Sequence, residues 1–196
     1  MLHEFYPVLP DVGWLRRLVP VGISCVQLRL KDAEPTEVRR QIAESLAICS
    51  AHDCVLIVND HWREAIDLGA RWIHLGQEDL AAADMAAIRK AGLKVGVSTH
   101  DHDELRIALE ARADYVALGP VYETKLKKMK WAPQGLDRVR EWKSAIPCPL
   151  VAIGGLTVDR ARGVLDAGAD SLAVVTDIVT SERPEHRVEE WLIAVS

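Results

Sequence analysis

Short apolar runs rich in β-branched residues recur along the chain, at positions 5–9, 25–30, 55–59, 72–75, 95–98, 115–118, 150–153 and 172–175, and predict eight strands. Between them the apolar positions change to helical spacing. The clearest case is 35–50, where Val38, Ile42, Leu46 and Cys49 form one face against Glu37, Arg39, Arg40 and Glu44. A weak internal repeat supports the alternation. The segments 68–76, 111–119 and 167–175 each read as a helix ending, a two-residue turn and a buried strand. Ala70 and Ala113 of this repeat are 43 positions apart, Ala113 and Ala169 are 56, and most of the excess is a lysine-rich insertion after the sixth strand. Eight strands each followed by a helix predict an α/β fold, a single-domain (β/α)8 TIM barrel over residues 1–196. An open doubly wound sheet is the runner-up, disfavoured because no GxGxxG turn follows the first strand.

Composition narrows the function classes. A chain of 196 residues with 49% hydrophobic and 27% charged residues has the makeup of a soluble globular protein. Its net charge of -5 argues against general nucleic-acid binding. The longest uncharged stretch, 144–158, is too short to span a bilayer, and the N-terminus shows no secretory pattern. A cytoplasmic protein with small-molecule partners, no nucleic acid and no membrane is expected. Cys25, Cys49, Cys54 and Cys148 have no CxxC spacing and read as reduced packing residues. His100 and His102 resemble a metal pair, but Asp101 followed by Glu104 reads more simply as a helix start. Tryptophans such as Trp131 or Trp142, read as exposed, are candidates for an interface in a homo-oligomer.

The charge is unevenly spread. Four lysines fall within residues 125–130 of an acidic chain, a pattern suited to focusing positive potential on a small anion, with phosphate the first guess. In a barrel the chemistry lies where strands end. Alternation in Gln27-Leu-Arg29-Leu-Lys31 places two cations and an amide on one face, either toward an anion in the barrel mouth or as an ordinary solvated strand end. Asp60 follows the third strand and Asp79 the fourth. Two carboxylates at one rim suit magnesium, which takes one or two carboxylates plus substrate phosphates; helix capping is the alternative for each. Ser98 supplies a hydroxyl after the fifth strand and Thr124 another after the sixth. Gly154-Gly155 and Val175-Thr176 follow the last two strands, where this architecture usually cradles phosphate.

Taken together, residues 26–31, Val58-Asn-Asp60, His74-Leu-Gly-Gln-Glu-Asp79, Gly96-Val-Ser98, 119–122, 132–135 and Ala152-Ile-Gly-Gly155 resemble the thiamine-phosphate synthase family over nearly the whole chain. The resemblance implies a (β/α)8 barrel that joins hydroxymethylpyrimidine diphosphate to a thiazole phosphate, releasing pyrophosphate and forming thiamine monophosphate by a dissociative, magnesium-assisted route. Carried over by position, it implies that Gln27, Arg29, Lys31, Asn59, Ser98 and Lys127 hold the pyrimidine diphosphate. Arg29, Lys31, Ser98 and Lys127 would serve catalysis, and Asp60 and Asp79 would bind Mg2+. Thr124, Lys125, Leu126, Gly155, Val175 and Thr176 would hold the thiazole phosphate.

Two departures stand out. Where many members read Pro-Thr-x-Thr-Lys, this chain reads Glu123-Thr-Lys-Leu126-Lys127, so an aliphatic side chain replaces the second threonine hydroxyl. The Glu-Thr pair also resembles the thiazole tautomerase-like paralogues, which share the barrel but isomerise a thiazole carboxylate. Those paralogues often carry a histidine where this chain has Pro120, and they tend to lack the magnesium and diphosphate set. A non-catalytic phosphate-binding barrel is the alternative from a different class.

Overall fold

Eight parallel strands close on themselves in sequence order. They are β1 (Phe5–Leu9), β2 (Cys25–Leu28), β3 (Val55–Asn59), β4 (Trp72–Leu75), β5 (Lys94–Thr99), β6 (Tyr115–Leu118), β7 (Leu150–Ile153) and β8 (Ser171–Val174). The computed structural model describes residues 3–124 and 131–196. Pairing of Phe5 with Leu172 and of Tyr6 with Ala173 completes the ring, so the barrel has no free sheet edge. Around it run α1 (Val12–Leu18), α2 (Pro35–Ala51), α3 (Trp62–Asp67), α4 (Gln77–Ala82), α5 (Met85–Lys90), α6 (His102–Glu110), α7 (Gly135–Ala145), α8 (Val158–Asp166), α9 (Thr176–Val179) and α10 (Pro184–Ala194). The predicted barrel is the observed one, and the open sheet is excluded.

The internal repeat has a physical basis in how each helix passes into the next strand. Gly69, Arg112 and Gly168 hold left-handed backbone (φ 74°, 55° and 108°), the usual way to end a helix. The following alanine then donates its N–H back into the helix, Ala70 to Ala65, Ala113 to Ala108 and Ala169 to Val164. In the second and third copies the next residue is an aspartate that secures the preceding strand. Asp114 accepts from the Val95 N–H at 2.8 Å and Asp170 from the Leu150 N–H at 2.7 Å.

Two apolar layers result. The outer one lies between strands and helices and takes Val38, Ile42 and Cys49 from α2, whose first helical residue is proline, a position where the missing N–H costs nothing. The inner one fills the barrel with Tyr6, Val8, Cys25, Ile57, Trp72, Tyr115, Ala117, Val151 and Ala173. Phe5 stacks on Trp191 of α10 at 5.2 Å, joining the first strand to the last helix.

Several expectations need correction. Trp142 is not exposed: with Val139 it forms the inner face of α7 and is fully buried, so it is no interface candidate. Trp131 is half-buried and stacks on His100 at 4.0 Å. Strand β2 ends at Leu28 instead of reaching residue 30, although alternation continues: Leu30 is buried, Arg29 and Lys31 are exposed, and the Arg29 N–H still bonds to Leu9 O at 2.9 Å. Asp101 does cap α6, accepting from the Glu104 N–H at 2.9 Å, while Glu104 reaches back to the His100 N–H at 2.8 Å. Cys25, Cys49, Cys54 and Cys148 are free thiols. Among the described residues no helix is long and apolar enough to cross a membrane.

Candidate active site

Strand register builds the site. Asn59 pairs with His74, His74 with Gly96, and Gly96 with Tyr115, so these four residues form one row across β3, β4, β5 and β6. Gly96 is the gap in that row. A methyl group there would fall inside the Tyr115 ring, so the phenol crosses the space left by the glycine and reaches the histidine beyond it. The Tyr115 hydroxyl lies 2.7 Å from His74 Nδ1, and His74 Nε2 lies 2.8 Å from Ser98 Oγ. Gln27 and Tyr6 are further hydrogen-bond partners of the same hydroxyl. Burial, and secondarily the charge of Arg29, lowers the His74 pKa to about 4, so the imidazole is neutral at neutral pH. Burial likewise holds the Tyr115 phenol well above its ordinary range.

The two carboxylates meet at the rim, and neither caps a helix. Asp60 has left-handed backbone (φ 64°) and donates its N–H to His74 O at 2.9 Å; the N-cap of α3 is His61, and no side chain caps it. Such a conformation costs a residue with a side chain about 1 kcal/mol, and strain of this kind gathers at functional sites. Asp79 is exposed in the first turn of α4, whose N-cap is Gly76. The Asp60 carboxyl is raised from 3.8 to about 6 by burial and then by the charge of Asp79, against the lowering effect of nearby Arg29; a hydrogen bond with Asp79 raises it further, and the Gly76 N–H lowers it. Asn59 Nδ2 donates to Asp60 Oδ2. Paired oxygens that repel one another when ionised fit a hard divalent cation, which would relieve the repulsion.

This raised pKa has a sign that can be checked. The folded state holds the Asp60 proton more tightly than the unfolded state, so the group contributes stability below pH 3.8 and loses that contribution as pH rises through about 6. After allowance for partial solvent exposure, Asp60→Asn is expected to stabilise the metal-free protein at pH 8 by on the order of 1–2 kcal/mol. Urea denaturation should show no such gain at pH 4. A gain of equal size at both pH values would contradict the assignment.

The opposite side of the mouth comes from the last three strands. Beyond β6, the Val121 N–H bonds to Ile153 O at 2.9 Å and the Tyr122 N–H to Gly154 O at 3.0 Å, laying residues 121–124 against the Gly154-Gly155 turn. Both glycines have positive φ (99° and 65°), and a Cβ on Gly154 would sit 2.7 Å from Pro120 Cα. The pair is therefore required by loop packing as well as suited to close approach of an anion. Thr124 is half-buried, and Val175 and Thr176 stand at the start of α9, where N–H groups lack partners within the helix.

The structure thus brings Gln27, Arg29, Asn59, Asp60, Asp79 and Ser98 together at the ends of β2 to β5. Lys31 is exposed two residues past Arg29 and pairs with no described carboxylate. Thr124, Gly155, Val175 and Thr176 lie at the ends of β6 to β8. Lys125, Leu126 and Lys127 fall outside the described residues. Sequence reasoning missed His74 and Tyr115 as site residues, although His74 opens the His-Leu-Gly-Gln-Glu-Asp motif. It also missed Gln77, which donates to Ser98 O at 2.7 Å and ties α4 to the end of β5.

A closed parallel barrel with cations, paired carboxylates and hydroxyls gathered at the carboxyl ends of its strands defines a (β/α)8 enzyme that handles small anionic substrates. Comparison with known proteins narrows that class: the profile of the thiamine monophosphate synthase family matches residues 8–178. A thiamine-phosphate synthase from Rhizobium etli is 56% identical over 196 residues, covering 100% of this chain and 96% of that protein. One from Neisseria meningitidis serogroup A is 46% identical over 189 residues, covering 96% and 92%. The solved structure of thiamine phosphate pyrophosphorylase from Pyrococcus furiosus superposes with a TM-score of 0.86 at 26% identity, covering 98% of this chain and 95% of that one. The chain belongs to the thiamine monophosphate synthase family, transferases of thiamine biosynthesis.

Proposed function

We propose that this chain condenses hydroxymethylpyrimidine diphosphate with a thiazole phosphate, releasing pyrophosphate and forming thiamine monophosphate. The observation that carries the site assignment is the meeting of Asp60, Asp79 and Arg29 at one rim, above the Ser98–His74 hydrogen bond. Gln27 and Asn59 are nearly fully buried polar groups at the same end of the barrel and suit the pyrimidine diphosphate. Thr124, Gly155, Val175 and Thr176 suit the thiazole phosphate, and Lys125 and Leu126 are assigned to it by position in sequence.

The bond between the pyrimidine methylene carbon and the diphosphate oxygen breaks first, its electron pair leaving with pyrophosphate. The thiazole nitrogen then donates its pair to the pyrimidine methylene cation. No protein nucleophile is required. Arg29, Lys31, Lys127 and the Ser98 hydroxyl stabilise charge growing on the leaving group, and the two anion sites hold the rings in line. Asp60 and Asp79 would hold Mg2+, which when bound supplies Lewis-acid neutralisation of the diphosphate. A cytoplasmic location is part of this proposal, supported by four cysteines without the spacing of a disulfide framework.

Calorimetric titration with hydroxymethylpyrimidine diphosphate tests this reading. Binding is expected to depend on magnesium in the wild type and to weaken roughly tenfold or more in Asp79→Asn, the size of effect that loss of a metal-ligand carboxylate or its orientation produces. Binding of equal strength with and without magnesium would contradict the metal assignment. Binding of a thiazole carboxylate without any binding of the diphosphate would favour the isomerase reading.

A further inference from the structure

We infer that Tyr115 is a positioning residue: by fixing which nitrogen of His74 carries the proton, it directs the Ser98 hydroxyl toward the anion in the barrel mouth. The inference rests on the transferase reading of the rim and adds to it a buried component with no contact to the diphosphate.

The geometry is a chain of three groups. Tyr115 Oη, His74 Nδ1, His74 Nε2 and Ser98 Oγ are joined by contacts of 2.7 Å and 2.8 Å, running from the barrel interior to its rim. A neutral imidazole has one donor and one acceptor nitrogen, so the chain has two possible polarities. In one, Tyr115 donates to Nδ1 and the Nε2–H donates to Ser98 Oγ, leaving the serine O–H free. In the other, Ser98 spends its O–H on Nε2, and only lone pairs remain to face a diphosphate, which would be repelled.

Chemistry selects the first. The phenol is a stronger acid than the serine hydroxyl, so it is the better donor to the one free lone pair of the imidazole: Tyr115 keeps its proton and donates it in a hydrogen bond to unprotonated Nδ1. The Nε2–H form is also the tautomer that free neutral imidazole side chains favour. The nitrogen that holds the proton is set by the hydrogen bond made by the other. Gln27 approaches the same phenol oxygen as a donor, and although Tyr6 is a second partner of that hydroxyl, the 2.7 Å contact with Nδ1 favours the histidine as acceptor of the phenolic proton. The ring itself is held by its stack against His74 at 5.6 Å and by the space over Gly96.

Long-range proton–nitrogen correlation spectra of 15N-histidine-labelled protein, with His74 assigned by its loss in His74→Asn, report the tautomer in the free protein. The wild type is expected to show a protonated Nε2 and an unprotonated Nδ1. In Tyr115→Phe, which keeps the ring and removes the donor, the two tautomers should mix, and kcat should fall about tenfold, the effect of one misdirected hydrogen bond, with KM little changed. In a Ser98→Ala background the same substitution should cost no further activity, because its effect runs through that hydroxyl. A wild-type His74 protonated on Nδ1 would overturn the inference, as would an unchanged tautomer in Tyr115→Phe or fully additive losses in the double variant. Should the wild type make no thiamine monophosphate, the transferase reading fails, whereas the tautomer is read without turnover and stands or falls separately.

Discussion

Gly96→Ala is expected to destabilise the protein by about 3 kcal/mol or more, because the added methyl must displace a fully buried tyrosine ring from a closed barrel interior. For a chain of this size that corresponds to a fall in melting temperature of roughly 6–12 °C. Activity should fall further than stability explains, since the displaced phenol no longer reaches His74. Adding Tyr115→Val to Gly96→Ala vacates the clashing volume and should recover much of the stability while leaving activity low. Calorimetric melting of both variants beside their turnover checks this; a Gly96→Ala protein that melts like the wild type would contradict the packing described for the row from Asn59 to Tyr115.

Arg29→Ala should have the largest effect on chemistry. Loss of one electrostatic donor to a developing anion costs about 3 kcal/mol of transition-state stabilisation, roughly a hundredfold in rate. Here a second consequence adds to it. Arg29 opposes the upward shift of Asp60, so its removal should move that carboxyl above its present value of about 6 and weaken magnesium binding near neutral pH. Steady-state kinetics across pH should therefore show the Arg29→Ala deficit shrinking as pH rises and Asp60 ionises. Arg29→Lys, which keeps the charge but loses the planar fork, should fall between the two. A deficit independent of pH would separate Arg29 from the carboxylate pair.

Much of this was legible from the chain. Buried parallel strands are apolar on both faces, so they appear as short continuous runs, and the helix-ending alanine repeated at Ala70, Ala113 and Ala169 marks where three of them begin. The placement of Arg29, Asp60, Asp79 and Ser98 near their own strand ends follows from the rule that barrel chemistry sits at the carboxyl rim. What escaped is what depends on pairing between strands. Tyr115 meets His74 only because register sets Gly96 between them, 41 positions being closed by three strands and the absence of one side chain. The capping alternative for Asp60 failed for a related reason: its backbone turns left-handed to bond His74 O, a long-range contact that local propensity does not encode. Trp142 was misread because α7 is charged on most of its surface and buries only a narrow face.

The claim that the two halves of the rim join two phosphorylated rings is tested most directly by supplying hydroxymethylpyrimidine diphosphate and thiazole phosphate together with magnesium and following both products by chromatography. Equimolar thiamine monophosphate and pyrophosphate, with neither formed when one substrate is withheld, is the predicted result. No product above the rate without enzyme, or isomerisation of a thiazole carboxylate as the sole reaction, would contradict it.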